Sequence, residues 1–264
     1  MQNNINSSDL YIRLLEEIEP IKELTKNTQQ FHSFLTFCNL NDTCNQVMLS
    51  ISKAVPRNEF LEKIPDLPDE CKQCWKFFLN PRNKSKKKYD IVLGRKYEEV
   101  FISFLKKLDI HSDKADKSNK VLPDNLIIDK SKNVCAYYEV KYHNAPFVMA
   151  YKFNKGRECY EGSITLDYEK VAKQIKLTRE LTDLPVFYVH WVDFPCVKGI
   201  FYMSLEDTKN CLDKGIEFKR QEREGDFATN TKGTRKVGYT NKFYPSLIGM
   251  KSLSELITCF GKFI

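Results

Sequence analysis

The stretch LPDNLIIDKSKNVCAYYEVKYHNAPF, residues 122–147, decides the expected fold. It contains two runs of strand-forming residues on either side of the polar segment KSKN at 130–133, a pattern that is typical of a β-hairpin. Charged residues interrupt this apolar material: Asp124 precedes the first run, and Glu139 and Lys141 lie within the second. Because a charge on a core strand is costly unless it is paired or bound to a metal ion, these residues indicate a functional site.

The length of the loop predicts the register of the hairpin. The strands are predicted over 125–129 and 134–142, so a four-residue loop would pair Asp129 with Val134. The numbers of paired residues then sum to 263, because Asp129 and Val134 do so and antiparallel pairing keeps the sum constant.

This register predicts which side chains share a face of the sheet. Asp124 falls opposite Glu139, and directly opposed side chains lie on the same face, about 5 Å apart. Lys141 lies on that face as well, because side chains alternate along a strand, whereas Tyr138 and Val140 face the other way. The hairpin therefore predicts two carboxylates and an amine at one point.

Such a group of side chains is suited to phosphodiester hydrolysis. Two adjacent carboxylates repel each other, and a shared proton or a bound cation relieves the repulsion. Mg²⁺ commonly binds one or two carboxylates and completes its coordination with water and phosphate oxygens. The amine of Lys141 can orient or deprotonate a water molecule beside such a metal ion.

The rest of the chain predicts a mixed α/β fold. The periodicity predicts amphipathic helices over 94–108 and 165–181, strands over 185–193 and 199–205, and a C-terminal helix near 252–260. This order of elements predicts a mixed β-sheet flanked by helices. Helical patterns before residue 80 predict a helical N-terminal subdomain over 1–88, followed by a catalytic domain over 89–264 with a C-terminal DNA-contacting region.

The hairpin residues resemble the catalytic signature of the PD-(D/E)xK nuclease superfamily, which includes most type II restriction endonucleases. The signature here is Pro123-Asp124 followed, after fourteen intervening residues, by Glu139-Val140-Lys141. Upstream, GRKYEEVF resembles the first core helix of that superfamily. Downstream, a helix that carries Gln174 leads into the strand PVFYVHW, in the order of that core. The resemblance covers about 94–205, and it implies a restriction-endonuclease-like core.

The resemblance also implies roles for individual residues. Asp124, Glu139 and the backbone carbonyl of Val140 would hold one of the one or two Mg²⁺ ions in each active site. Lys141 would position and activate the attacking water.

Four further residues lie outside the signature itself. The resemblance assigns the helix carboxylate to Glu98, which would serve a second metal ion, with Glu99 as the competitor for that role. His143 shares the predicted face of Glu139 and could contact the phosphate. Gln174 is assigned no role, because a glutamine on an amphipathic helix is usually an exposed edge residue.

The resemblance implies a Mg²⁺-dependent type II restriction endonuclease that cuts double-stranded DNA as a homodimer. The polar and basic stretch 219–242 is either a DNA-contacting segment or a surface loop. Its candidate DNA-binding residues are Lys219, Arg220, Arg235 and Lys236. Two alternatives remain: a repair, recombination or phage-defence nuclease of the same superfamily, and a non-catalytic nucleic-acid-binding protein.

Composition sets broad limits on these interpretations. The formal net charge of +7 suits a polyanionic partner. No apolar run is long enough to span a membrane, so we expect a cytoplasmic protein, and restriction activity implies a prokaryotic one. Nine cysteines at irregular spacing favour reduced thiols. A zinc site built from Cys38, Cys44, Cys71 and Cys74 is the alternative, because CKQC has the spacing of half a zinc site.

Overall fold

The computed structural model describes most of the predicted catalytic domain and parts of the N-terminal region. The described residues are 6–18, 21, 50–51, 62, 87–116, 122–143, 163–194, 197–214, 218–221, 227–230, 233–236 and 239–264.

The described residues form five helices of at least eight residues and twelve strands. The helices are α1 (Ser7–Glu16), α2 (Lys87–Lys107), α3 (Tyr168–Leu181), α4 (Leu205–Lys214) and α5 (Leu253–Phe260). The strands are β1 (Ser50–Ile51), β2 (Ser112–Lys114), β3 (Asn125–Ile128), β4 (Val134–His143), β5 (Leu166–Asp167), β6 (Val186–Asp193), β7 (Val197–Ser204), β8 (Phe218–Gln221), β9 (Phe227–Asn230), β10 (Gly233–Lys236), β11 (Tyr239–Phe243) and β12 (Lys251–Ser252).

A mixed sheet forms the centre of the fold. Six strands lie in the order β1-β7-β6-β4-β3-β2, and β12 pairs with β7 beside β1. The β4–β6 and β1–β7 pairs are parallel, and the others are antiparallel. Parallel neighbours need a crossover connection, and α3 lies in the connection between β4 and β6. The expected mixed α/β fold, with a sheet flanked by helices, is confirmed.

Alternation along the strands divides the core into two layers. On one face, Tyr138 and Val140 of β4 and Trp191 of β6 pack in a cluster with α1, α2 and α5. On the other face, Val192 and Phe201 pack with residues of α3 and α4. The central sheet is therefore covered by helices on both sides.

The predicted hairpin register is confirmed, although its loop differs from the prediction. Asn125, Leu126 and Ile127 pair with Tyr138, Tyr137 and Ala136, so each pair sums to 263. The predicted pairing of Asp129 with Val134 is wrong, because Val134 pairs with Ile128. Asp129 instead belongs to the turn, where its carboxylate accepts a hydrogen bond from the backbone N–H of Asn133 at 2.8 Å. The register shifts by one residue between Ile127 and Ile128, so the pairs from Asn125 to Ile127 follow the predicted register.

The C-terminal third contains elements that the sequence analysis did not predict. The strand predicted over 199–205 is β7, which ends at Ser204, and the helix α4 follows at once. The stretch 219–242 contains strands rather than one continuous loop. Strand β8 pairs with β11, which also pairs with β5, and β9 pairs with β10.

The described N-terminal residues pack against the same core as the sheet. Tyr11 of α1 lies edge-on to Trp191, with ring centroids 6.5 Å apart, and β1 adds to the edge of the sheet at β7. The four cysteines of the zinc alternative lie outside the described residues, as does most of 1–88. None of the described helices is long and apolar enough to cross a membrane.

Candidate active site

The hairpin backbone brings Asp124 and Glu139 together. Asn125 pairs with Tyr138, so Asp124 stands opposite Glu139 one position beyond the last ladder pair. The Asp124 carbonyl also accepts a hydrogen bond from the Ala115 N–H at 2.9 Å, which continues the β2–β3 pairing. Asp124 is exposed, whereas Glu139 is only 2% exposed. The predicted proximity of these two carboxylates thus follows from backbone pairing on both sides of β3.

Both oxygens of the Glu139 carboxylate accept hydrogen bonds. The Lys141 amine donates to Oε1, and the Gln174 amide donates to Oε2. The Gln174 carbonyl in turn accepts a hydrogen bond from the Tyr188 hydroxyl at 3.1 Å. Burial raises the pKa of Tyr188, so its hydroxyl stays protonated and available as a donor. This chain fixes the orientation of Glu139 from the α3 side of the sheet.

The Lys141 amine has a strongly perturbed protonation equilibrium. The pKa of Lys141 is lowered from 10.5 to about 7. Desolvation by burial is the largest cause, and the positive charge of Lys170 is the second. The negative charges of Asp124 and Glu98 act in the opposite direction and are too weak to reverse the shift. A lysine with a pKa near neutrality can exchange protons under physiological conditions, as a general base must.

The two candidate helix carboxylates differ in their surroundings. The Glu98 side chain is 13% exposed, and its carboxylate accepts a hydrogen bond from the Lys114 amine at 2.5 Å. It is close enough for its charge to act on Lys141. The Glu99 side chain is 55% exposed and pairs with Lys96 at 2.8 Å. The geometry therefore favours Glu98 over Glu99 at the site.

Two histidines extend the same face of the sheet. His143 follows Lys141 by two residues, and its Nε2 lies 3.2 Å from Nδ1 of the fully buried His190. His190 pairs with Lys141 in the parallel β4–β6 ladder. Burial, with the nearby His143 and Lys141 charges, holds the pKa of His190 well below its usual range, so this ring is neutral.

Several residues at the site were assigned no role by the sequence analysis. Tyr188 and His190 are placed there by the parallel β4–β6 register, which depends on a crossover that alternation alone does not specify. Gln174 was noted, and the structure brings it to Glu139. Lys170 lies one helical turn before Gln174. This i, i+4 relation was the signal that could have identified it.

The chemistry of the donor set suits a hard divalent cation. The described residues contain no cluster of three or more His, Cys, Asp or Glu side chains that could hold a metal ion. Two carboxylates are nevertheless enough for Mg²⁺, which draws its remaining ligands from water and phosphate. Among the described residues, Lys141 is the cation paired with Glu139, and Asp124 has no ion-pair partner. Asp124 and Glu139, with the Val140 carbonyl as a further oxygen donor, therefore fit such an ion.

The predicted DNA-binding residues lie on strands outside the central sheet. Lys219 and Arg220 belong to β8, and Arg235 and Lys236 belong to β10. Strand β8 is connected to the site through β11 and β5, because β5 leads directly into α3. The Lys242 amine on β11 also binds the Asp167 carboxylate at the start of α3, at 3.0 Å. Contact of these four residues with DNA stays a prediction.

Comparison with known proteins adds no assignment to this geometry. No protein-family model matches the chain, and no curated protein matches it in sequence.

Proposed function

We propose that this protein is a Mg²⁺-dependent nuclease that hydrolyses phosphodiester bonds in double-stranded DNA. One observation carries the proposal: the hairpin register places Asp124 opposite Glu139, with the low-pKa amine of Lys141 bonded to Glu139. Two carboxylates and a lysine that can lose its proton near neutral pH are the groups that metal-assisted hydrolysis of a phosphodiester requires.

Each residue then has a defined task. Asp124, Glu139 and the Val140 carbonyl would hold the metal ion, and Gln174 keeps Glu139 in position. When bound, Mg²⁺ would supply Lewis-acid chemistry to the phosphate and to an attacking water. Lys141 orients that water and accepts its proton. Glu98 lies near enough to serve a second metal ion, directly or through water.

The arrangement of elements supports a restriction-endonuclease-like core. Helix α2, hairpin β3–β4, helix α3 and strand β6 follow one another in the order of the PD-(D/E)xK core. Within that superfamily we propose a type II restriction enzyme that acts as a cytoplasmic, prokaryotic homodimer, because a two-fold dimer presents one active site to each DNA strand. A repair, recombination or phage-defence nuclease of the same superfamily would use the same residues.

A second candidate function is non-catalytic nucleic-acid binding. It is favoured by one observation: both oxygens of Glu139 already accept hydrogen bonds from Lys141 and Gln174. A carboxylate with two donors can serve as the centre of a structural network. In that case the net positive charge would bind DNA without cutting it.

Incubation with long mixed-sequence duplex DNA tests the proposal. The purified protein is assayed with Mg²⁺ and with EDTA, beside Asp124→Asn and Glu139→Gln. We expect Mg²⁺-dependent cleavage that both substitutions abolish. Discrete fragments would support restriction, and sequencing of their ends would give the recognition site, whereas preference for nicks, ends or branches would support the repair alternative.

A matched control removes a carboxylate charge from the same hairpin without changing the candidate site. Asp129 is an aspartate at the other end of β3, in the turn of the hairpin. We expect Asp129→Asn to cleave like the unsubstituted protein. Salt-sensitive DNA binding with no cleavage under any metal condition would instead favour the non-catalytic candidate.

A further inference from the structure

Two lysine amines converge at the candidate site, although the sequence signature accounts for one of them. Lys141 lies on β4, and Lys170 approaches it from the first turn of α3. The Lys170 side chain is close enough to act on Lys141 both by its charge and as a hydrogen-bonding group. Both side chains therefore lie on the side of the sheet that faces α3, where Gln174 bonds to Glu139.

The helix geometry explains why Lys170 reaches the site. Residues four apart lie on the same side of a helix, so Lys170 and Gln174 project from α3 in the same direction. Gln174 donates a hydrogen bond to Glu139, which fixes that direction as toward the hairpin. The helix start is itself held in place, because the Lys170 N–H donates to the Asp167 carboxylate at 3.2 Å.

In the part of the chain that the structure describes, the Lys170 amine lacks the carboxylate partner that the Lys114 and Lys141 amines have. Glu139 accepts a hydrogen bond from Lys141, and Glu98 pairs with Lys114. Among the described residues, no carboxylate lies within ion-pair distance of the Lys170 amine. The positive charge of Lys170 disfavours the charged form of Lys141 even though Lys141 is bonded to Glu139, so the two amines repel each other and that repulsion costs free energy. An anion that contacts both amines would remove this cost.

We propose that Lys170 is a phosphate-binding residue of the site, which contacts the phosphodiester group that Lys141 would help to hydrolyse. This inference rests on the proposed nuclease function, and it adds a residue to that function from outside the hairpin. Lysine binds phosphate oxygens as a point charge. Lys170 is exposed, so its amine is accessible to a strand that enters between the hairpin and α3.

DNA binding over a range of salt concentrations tests the inference. Affinity for a duplex is measured with EDTA, which prevents cleavage, for the unsubstituted protein and for Lys170→Met and Lys170→Arg. Each phosphate contact contributes about 0.9 to the slope of log affinity against log salt, so Lys170→Met should reduce that slope by about 0.9. Lys170→Arg keeps the charge and should restore the slope. Lys170→Gln provides a second neutral variant if the Met variant does not fold.

Lys176 supplies the matched control. It is exposed on the same helix, but it lies two residues beyond Gln174 and so projects from the opposite side. We expect Lys176→Met to leave the slope unchanged. If Lys170→Met and Lys176→Met behave identically in a protein that binds and cuts DNA, the inference alone is overturned. If the unsubstituted protein does not bind duplex DNA, the proposed function is overturned and the inference with it.

Discussion

The two faces of strand β4 have opposite characters. Tyr138 and Val140 point into a buried hydrophobic cluster, where the Tyr138 ring lies edge-on to Phe101 and its hydroxyl lies 2.6 Å from the Ser112 hydroxyl. Glu139 and Lys141 point the other way, into a network of charged and polar groups that reaches α3. One strand thus supplies the apolar core and the candidate chemistry in alternate residues.

The difference indicates how stability and function are divided in this fold. The apolar face depends on close packing of its buried side chains. The opposite face concentrates charges, and its Lys141 side chain is still 27% exposed. A substitution on one face should therefore change one property and leave the other largely intact. Four predictions test that separation.

Lys141→Met should have the largest effect, on catalysis. It removes the amine that would accept the proton of the attacking water while retaining similar side-chain length. Loss of a general base typically costs about 10²–10⁴-fold in rate, so we expect cleavage to fall by about that factor. Single-turnover cleavage with Mg²⁺ measures the rate, and gel shift with EDTA should show that DNA binding is retained. Cleavage at the unsubstituted rate would contradict the proposed role of Lys141.

Phe101→Ala should lower the stability of the protein and leave catalysis by the folded molecules unchanged. Phe101 is fully buried on α2 against Tyr138, and replacing such a residue with alanine typically lowers the free energy of unfolding by about 3–5 kcal/mol. Denaturant unfolding measures this loss, and cleavage per folded molecule should be unchanged. Phe101→Leu, which leaves a smaller cavity, should lose less stability. Cleavage that falls more steeply than the folded fraction would show that the two faces are coupled.

Gln174→Leu should lower Mg²⁺ affinity or activity by an intermediate factor, because it removes the hydrogen-bond donor that orients Glu139. Groups that orient a metal ligand typically contribute about 10–100-fold to metal affinity or activity, and we expect a loss in that range. Tyr188→Phe removes the donor to Gln174 and should produce a smaller loss in the same direction. The Mg²⁺ concentration for half-maximal cleavage should rise in both variants. An unchanged Mg²⁺ dependence would restrict Gln174 to a packing role.

The hairpin shows how far the sequence could predict this site. Apolar alternation and the position of KSKN were enough to place Asp124 opposite Glu139. The assumed pairing of Asp129 with Val134 was nevertheless wrong, because a bulge in β4 compensates for the longer loop. Local turn hydrogen bonds, such as those of Asp129, compete with ladder pairing in a way that periodicity does not reveal.

Other parts of the fold and site depend on contacts that are distant in the sequence. Lys170 comes to Lys141 only when α3 packs across β4 and β6. Strands β8 to β11 were not predicted, because 219–242 is largely polar and lacks the apolar alternation that marks a half-buried strand. Helix α4 was missed because its few apolar residues follow directly on a buried strand, so Leu205 was assigned to that strand.

The last and smallest effect concerns stability as a function of pH. The pKa of Lys141 is about 7 in the folded protein and 10.5 in the unfolded chain. Between these values the unfolded state holds the extra proton, so the free energy of unfolding rises with pH, and below about pH 7 this contribution no longer changes. The slope cannot exceed about 1.4 kcal/mol per pH unit, and the partial exposure of Lys141 reduces it.

Urea unfolding with EDTA at about pH 7.5 and about pH 9 should show the unsubstituted protein gaining stability relative to Lys141→Met. Because Met does not titrate, parallel curves for the two proteins would mean that Lys141 keeps an ordinary pKa, and the site would lose its candidate base.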